Sequence, residues 1–194
     1  MAKAVTTVPV ADKQTIRKVF PLVTKIKDAK LREGVIKAWY IAWKESSFKK
    51  LEDAPFGVDA VPGDSLVKHT NGSATGAYAM GKQLQEEYGV KINLDYVIAG
   101  ALLHDLDKIV MYEKKGNKVV HSAFGEKIVH GAYGGHIALL VGLPQDIVYI
   151  IMAHSPHVEA ELNSPEGKLI SYAEVGKIRS LQAAYKMLPT SSSH

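Results

Sequence analysis

The chain's strongest constraint is an apolar run that ends in charge. Val97-Ile-Ala-Gly-Ala-Leu-Leu103 carries no polar side chain, and His104-Asp-Leu-Asp-Lys108 follows at once. A helix that is apolar on every face belongs in an interior. Asn93 supplies an N-cap ahead of it, so the pattern predicts a helix over 94–107. The far end of that helix then carries an imidazole, two carboxylates and an ammonium. Such groups are strongly disfavoured in an interior unless something compensates their burial. A divalent cation compensates well. The bland alternative is that the helix surfaces at His104 and these are ordinary end-of-helix polar residues.

The remaining sequence is patterned to enclose that helix. Asp28 caps a helix over 28–45 in which Leu31, Val35, Trp39 and Trp43 recur every fourth residue, a stripe read as packing surface. Residues 1–13 read as a loose tail. Pro55, Gly57, Pro62 and Gly63 make 46–65 a loop able to cover a cleft. Asp64 or Ser65 starts a helix that runs to Tyr88 and stops at Gly89. The residues flanking Lys114-Lys-Gly-Asn117 predict a small β-hairpin near 110–121. Further helices are expected over 125–141, over 144–154 with Pro156 as its stop, and over 165–187 from Pro165. Thr190 to His194 reads as a disordered tail. No repeat or linker is present. The expected fold is an all-α, compact helical bundle forming a single domain. Residues 1–64 (tail, Trp-bearing helix and covering loop) would pack on a core of 65–188.

Composition narrows the function. A length of 194 residues suits one domain, and no apolar run approaches the length of a membrane span. The N-terminus lacks the apolar stretch of a secretion signal. Cysteine is absent, which excludes disulfides, thiolate metal sites and cysteine nucleophiles, and agrees with a reducing, cytoplasmic setting. The net charge of +4 is mild, the basic residues are scattered, and only Arg17, Arg32 and Arg179 are arginines. A nucleic-acid protein would show a basic stripe. A small anionic molecule is the expected partner, with no nucleic acid and no membrane. The sequence does not specify an oligomeric state.

Of eight histidines, His69, His104, His130 and His154 fall within or at the ends of four different predicted helices. Singly, each reads as a structural or exposed residue. Together they match the way a helical bundle aims side chains at one interior point to hold a metal. Imidazole with carboxylate suits Fe, Mn, Zn or Co. His136, six residues beyond His130, is placed to reach substrate but not to share the metal. His157, just past Pro156, is expected at the cleft mouth. His121 is read as a surface or lid residue, and His194 is given no role.

His69, then His104-Asp105, then Lys108 resembles the signature of the HD-domain metal-dependent phosphohydrolase superfamily. The block from His130 through Gly142-Leu-Pro144 to His154 is similar to that of members with two metals. The resemblance covers 65–180. It departs in two places. Glu174, in Ser171-Tyr-Ala-Glu174, stands where the family has Asp; this implies a slightly wider site or a residue behind the ligands. Asp107 stands where Gly usually precedes the lysine, and is read as a helix cap in preference to a partner of a ligand histidine.

The resemblance implies two divalent transition-metal ions. His69, His104, Asp105 and Glu174 would hold one, His130 and His154 the other, with Asp105 bridging. It implies hydrolysis of a small anionic substrate, a phosphate ester above all, by a metal-bound hydroxide. Catalytic roles fall to Asp105 and Lys108, and substrate binding to Lys108, His136 and His157. Lys108 would neutralise the anion; its bland reading is a cation at a helix C-terminus. Three other readings use the same residues: a mixed-valent di-iron oxygenase cleaving a C–C or C–P bond, a metal-dependent hydrolase of a non-phosphate substrate, and a non-catalytic helical binding module.

Overall fold

A computed structural model describes residues 7–58, 60–155 and 161–186. The loose start of the tail, the Pro156 stop, His157, the final residue of the last predicted helix and the 190–194 tail lie outside these residues.

The apolar run forms α4 (Leu94–Leu103), with every residue from Val97 onward buried and the Asn93 side chain accepting from the Tyr96 N–H. The helix stops four residues short of the expected end. Leu106 N donates to Leu103 O and Lys108 N to Asp105 O, both three residues back, so the chain tightens into turns over 104–107. A single further turn follows as α5 (Lys108–Met111). The tightening breaks the helical period, and His104, Asp105 and Asp107 are all buried.

α2 (Ala29–Glu45) begins where the Asp28 carboxylate accepts from the Lys30 and Leu31 N–H groups. Trp39 is fully buried, stacks on Phe20, and donates its indole N–H to the carbonyl of Leu102 at 2.9 Å. That bond ties α2 to the last turn of α4, directly before the His104-Asp105 doublet. The expected tail is shorter than 1–13, because α1 spans Val10–Val19. It buries Ile16 and Val19 and reaches Glu33 of α2 through Lys13 and Arg17.

α3 (Leu66–Tyr88) carries the Ser65 cap and ends at Gly89 in the left-handed region, as its sequence dictates. It packs along α4 and α8 (Pro165–Ala184). The hairpin is β1 (Tyr112–Lys115) with β2 (Lys118–His121), Tyr112 opposite His121. The helix expected over 125–141 is confined to α6 (Ala132–Leu140). Its start is fixed by Gly131 at φ +91°, where an added Cβ would stand 2.9 Å from the Ile151 carbonyl oxygen, so 122–131 runs as turns. α7 (Gln145–Ala153) then runs against α6 to His154. The architecture is all-α with one hairpin, and α4 lies at its centre. No helix among the described residues is long and apolar enough to cross a membrane.

Candidate metal centre

Six side chains from separate parts of the chain meet at the end of α4. His69 comes from the first turns of α3, His104 and Asp105 from the turn after α4, His130 from just before α6, His154 from the end of α7, and Glu174 from the middle of α8. They form two groups of donors, each within 4.8 Å: His69, His104, Asp105 and Glu174; and Asp105, His130 and His154. Asp105 belongs to both. Its Oδ2 lies 3.0 Å from His69 Nε2 and 3.3 Å from His104 Nε2, while Oδ1 lies 3.0 Å from His130 Nε2 and 3.5 Å from His154 Nε2. Glu174 Oε1 is 3.6 Å from His69 Nε2 and 3.8 Å from His104 Nε2. Donors bound about 2.0–2.2 Å from one ion sit about 3.0–3.5 Å apart. The imidazole and Asp105 spacings match this, and Glu174 stands slightly wider, as its extra methylene suggests.

The hydrogen bonds behind the rings decide what faces inward. His104 Nδ1 lies 2.8 Å from Ala101 O, and His154 Nδ1 lies 2.7 Å from Ile151 O. His130 Nδ1 lies 3.0 Å from Asp107 Oδ1. Carbonyl and carboxylate oxygens only accept, so Nδ1 carries the proton and neutral Nε2 presents a lone pair. His130 Nε2 and His154 Nε2 then face each other at 3.0 Å, and His69 and His104 do so at 3.3 Å. Both oxygens of Asp105 are buried without a well-formed hydrogen bond among the described residues. Converging lone pairs facing a buried carboxylate, which has the Lys108 ammonium on Oδ2 alone, are unfavourable for a dry core. A divalent cation satisfies both, so the donor set fits one.

Protons are the other means of balancing this charge. Burial opposes ionisation of Asp105, but the Lys108 ammonium and the His104 imidazole hold it well below the usual carboxylate range. Burial would lower the His130 imidazole; the Asp105 and Asp107 carboxylates outweigh it and push it up to about 9. Burial would raise Glu174, yet His104 and His69 bring it down to about 2. An ion entering the site therefore displaces a proton from the His130 imidazole.

The centre opens into a cleft of about 1050 Å³. Lys108, His130, His154 and Glu174 line it, with His121 of the hairpin and Phe56 of the 46–65 loop. Lys108 Nζ is 3.0 Å from Asp105 Oδ2. Lys108 opens the one-turn α5, five residues past the end of α4, with its ammonium turned to the Asp105 carboxylate. His136 is exposed and does not line this cleft, because Gly131 starts α6 afresh and turns that position outward.

The sequence pattern of the HD domain matches residues 66–177, more than half of the chain and a span holding all six donors. This chain belongs to the HD-domain family. Similarity extends to the dihydroneopterin 2',3'-cyclic phosphate phosphodiesterase of Methanocaldococcus jannaschii, 27% identical over 175 residues that cover 82% of this chain and 67% of that protein. No solved structure matches. The HD domain here is a metal-dependent hydrolase of the phosphohydrolase class.

Two residues have roles that the sequence reading did not assign: Asp107, for which a cap was preferred to a partner of a ligand histidine, and Phe56, in the loop ahead of the matched span. Asp107 makes no helix cap. Its buried carboxylate accepts from His130 Nδ1–H and, at 2.5 Å, from the Gly131 N–H. It fixes the ring and the turn together; the only sequence signal was a carboxylate two residues beyond the doublet in an apolar setting. Phe56 lies over His69, with ring centroids 3.7 Å apart and planes 13° from parallel. Nothing in the loop sequence marked it.

Proposed function

We propose that this HD domain hydrolyses a small phosphate ester, a phosphodiester first of all, at a centre holding two divalent ions that share Asp105. The observation that carries this reading is the split of the Asp105 carboxylate, with Oδ2 turned to His69 and His104 and Oδ1 to His130 and His154. Glu174 completes the first shell. Ions so placed polarise a phosphoryl oxygen and lower the pKa of water, chemistry suited to in-line displacement at phosphorus.

The chain's own residues set the conditions. Asp105 stays ionised under the Lys108 field and so remains available as a donor at any neutral pH. The Nδ1 contacts to Ala101, Ile151 and Asp107 lock three rings in the donating tautomer. Lys108, mostly buried at the cleft floor, supplies a cation for a non-bridging phosphoryl oxygen. The cleft is far larger than a phosphate needs, and Met111, Ile128, Val129, Leu162 and Ile178 give it apolar walls. These suit an organic moiety attached to the phosphoryl group. The archaeal relative is named for a cyclic phosphodiester of a pterin, which agrees with a phosphodiester carrying a ring system.

The test is turnover of a panel of phosphate mono- and diesters under anaerobic conditions, after restoring Mn²⁺, Co²⁺, Zn²⁺ or Fe²⁺. Hydrolysis of a diester without dioxygen is expected. Turnover only with iron and dioxygen would replace hydrolysis with the oxygenase reading, and turnover of no ester under any condition would defeat the proposal.

A further inference from the structure

We infer that Phe56, from the loop ahead of the HD core, is a positioning residue that holds His69 and Lys108 in place together; this rests on the metal-dependent reading above. His104, His130 and His154 each have Nδ1 anchored by a hydrogen bond. His69 does not: its Nδ1 is buried and has no partner among the described residues. Its ring still presents Nε2 3.0 Å from Asp105 Oδ2. What lies against that ring is Phe56, nearly parallel at 3.7 Å. The stack fixes the ring plane that a hydrogen bond fixes in the other three.

The same aromatic ring receives a cation. Lys108 Nζ lies 3.8 Å from its centroid, too close to sit in the ring plane, so the ammonium stands over the ring. Phe56 therefore touches both an imidazole of one donor group and the ammonium beside Asp105. An aromatic face attracts an ammonium through its quadrupole, and does so more strongly where water is excluded. The loop backbone is pinned just ahead of Phe56: Leu51 and Ala54 are fully buried, and Leu66 N donates to Ala54 O at 3.0 Å. Phe56 thus acts through its ring from a fixed point.

Three variants test this: Phe56→Leu, which keeps apolar bulk without a π face, Phe56→Tyr, which keeps the face, and Lys108→Met. The first readout is Co²⁺ binding, followed by its visible absorption, which needs no turnover. Phe56→Leu is expected to weaken one Co²⁺ about 10–100-fold, the range for losing a ligand's orienting partner, while Phe56→Tyr stays within about twofold of wild type. The second is kcat/KM on a phosphodiester found active with the wild type, where Phe56→Leu is expected to cost much less in the Lys108→Met background than alone. Equal Co²⁺ affinity in wild type and Phe56→Leu overturns the His69 half of the inference, and strictly additive losses overturn the Lys108 half. A Phe56→Tyr variant as impaired as Phe56→Leu would show that packing alone matters and overturn both. A wild type that binds no Co²⁺ would instead refute the metal centre itself.

Discussion

Replacing Asp107 with Asn should separate a ligand's orienting partner from an ordinary buried carboxylate. Asp107 is fully buried, and its two oxygens serve two donors, His130 Nδ1–H at 3.0 Å and the Gly131 N–H at 2.5 Å. An asparagine is uncharged and has one acceptor oxygen; even placed at Oδ2, which reaches both His130 Nδ1 at 3.1 Å and the Gly131 N–H, it turns an amide that can only donate toward His130 Nδ1–H in place of Oδ1, so the charge-assisted contact is lost. A hydrogen bond to a charged group contributes about 1.5–3 kcal/mol. At about 2–4 °C per kcal/mol for a chain of this size, the metal-free protein should melt about 3–12 °C lower. Weakened orientation of His130 should also lower affinity for one ion about 10–100-fold. Calorimetric melting in chelator and Co²⁺ titration read these separately. A lower melting temperature with unchanged Co²⁺ affinity would make Asp107 a support for the Gly131 turn alone. No change in either would refute the reasoning.

Other outcomes follow from the same geometry. Lys108→Ala should lower kcat/KM about ten- to over a hundred-fold while metal content is kept, as expected for losing about 1.5–3 kcal/mol of charge-assisted contact; elemental analysis beside steady-state kinetics checks it. Glu174→Gln should loosen one ion and leave the other, and Glu174→Asp should retain both if the wider Glu174 spacing reflects only its longer side chain; metal titration of the two variants decides. The folded-state pKa of His130 lies above its ordinary value, at about 9 against 6.5, so its charged form adds stability below about pH 6.5 that is lost as pH rises through about 9. Chelated protein should therefore become less stable across that window while Co²⁺ affinity climbs, and melting and titration from about pH 6 to about 10 show both.

Much of the fold was legible because local chemistry and packing agree there. Asp28, Ser65 and Asn93 all cap their helices, and Gly89 takes the left-handed conformation that ends α3. His104 and Asp105 were legible because an all-apolar helix ending in a doublet leaves few places for a charge to go; His69, His130 and His154 were legible from their spread over other predicted helices and from the resemblance to the HD signature. α1 escaped because Val10–Val19 is mostly polar and buries only Ile16 and Val19; its contacts to Glu33 are long-range. The break after Leu103 and the late start of α6 escaped for a shared reason. The two meet in one contact, Asp107 to the Gly131 N–H, across 24 residues that no helical periodicity contains. Phe56 escaped because one aromatic residue in a Pro- and Gly-rich loop carries no pattern; only the folded chain shows which imidazole it covers.

The central claim is that Asp105 is shared by two ions, and metal stoichiometry tests it most directly. Elemental analysis of the purified, Co²⁺-saturated protein should give two equivalents per chain, and Asp105→Ala should lose both because each donor group then lacks its carboxylate oxygen. Two equivalents retained in Asp105→Ala, or a single equivalent in wild type that His130→Ala leaves untouched, would contradict it.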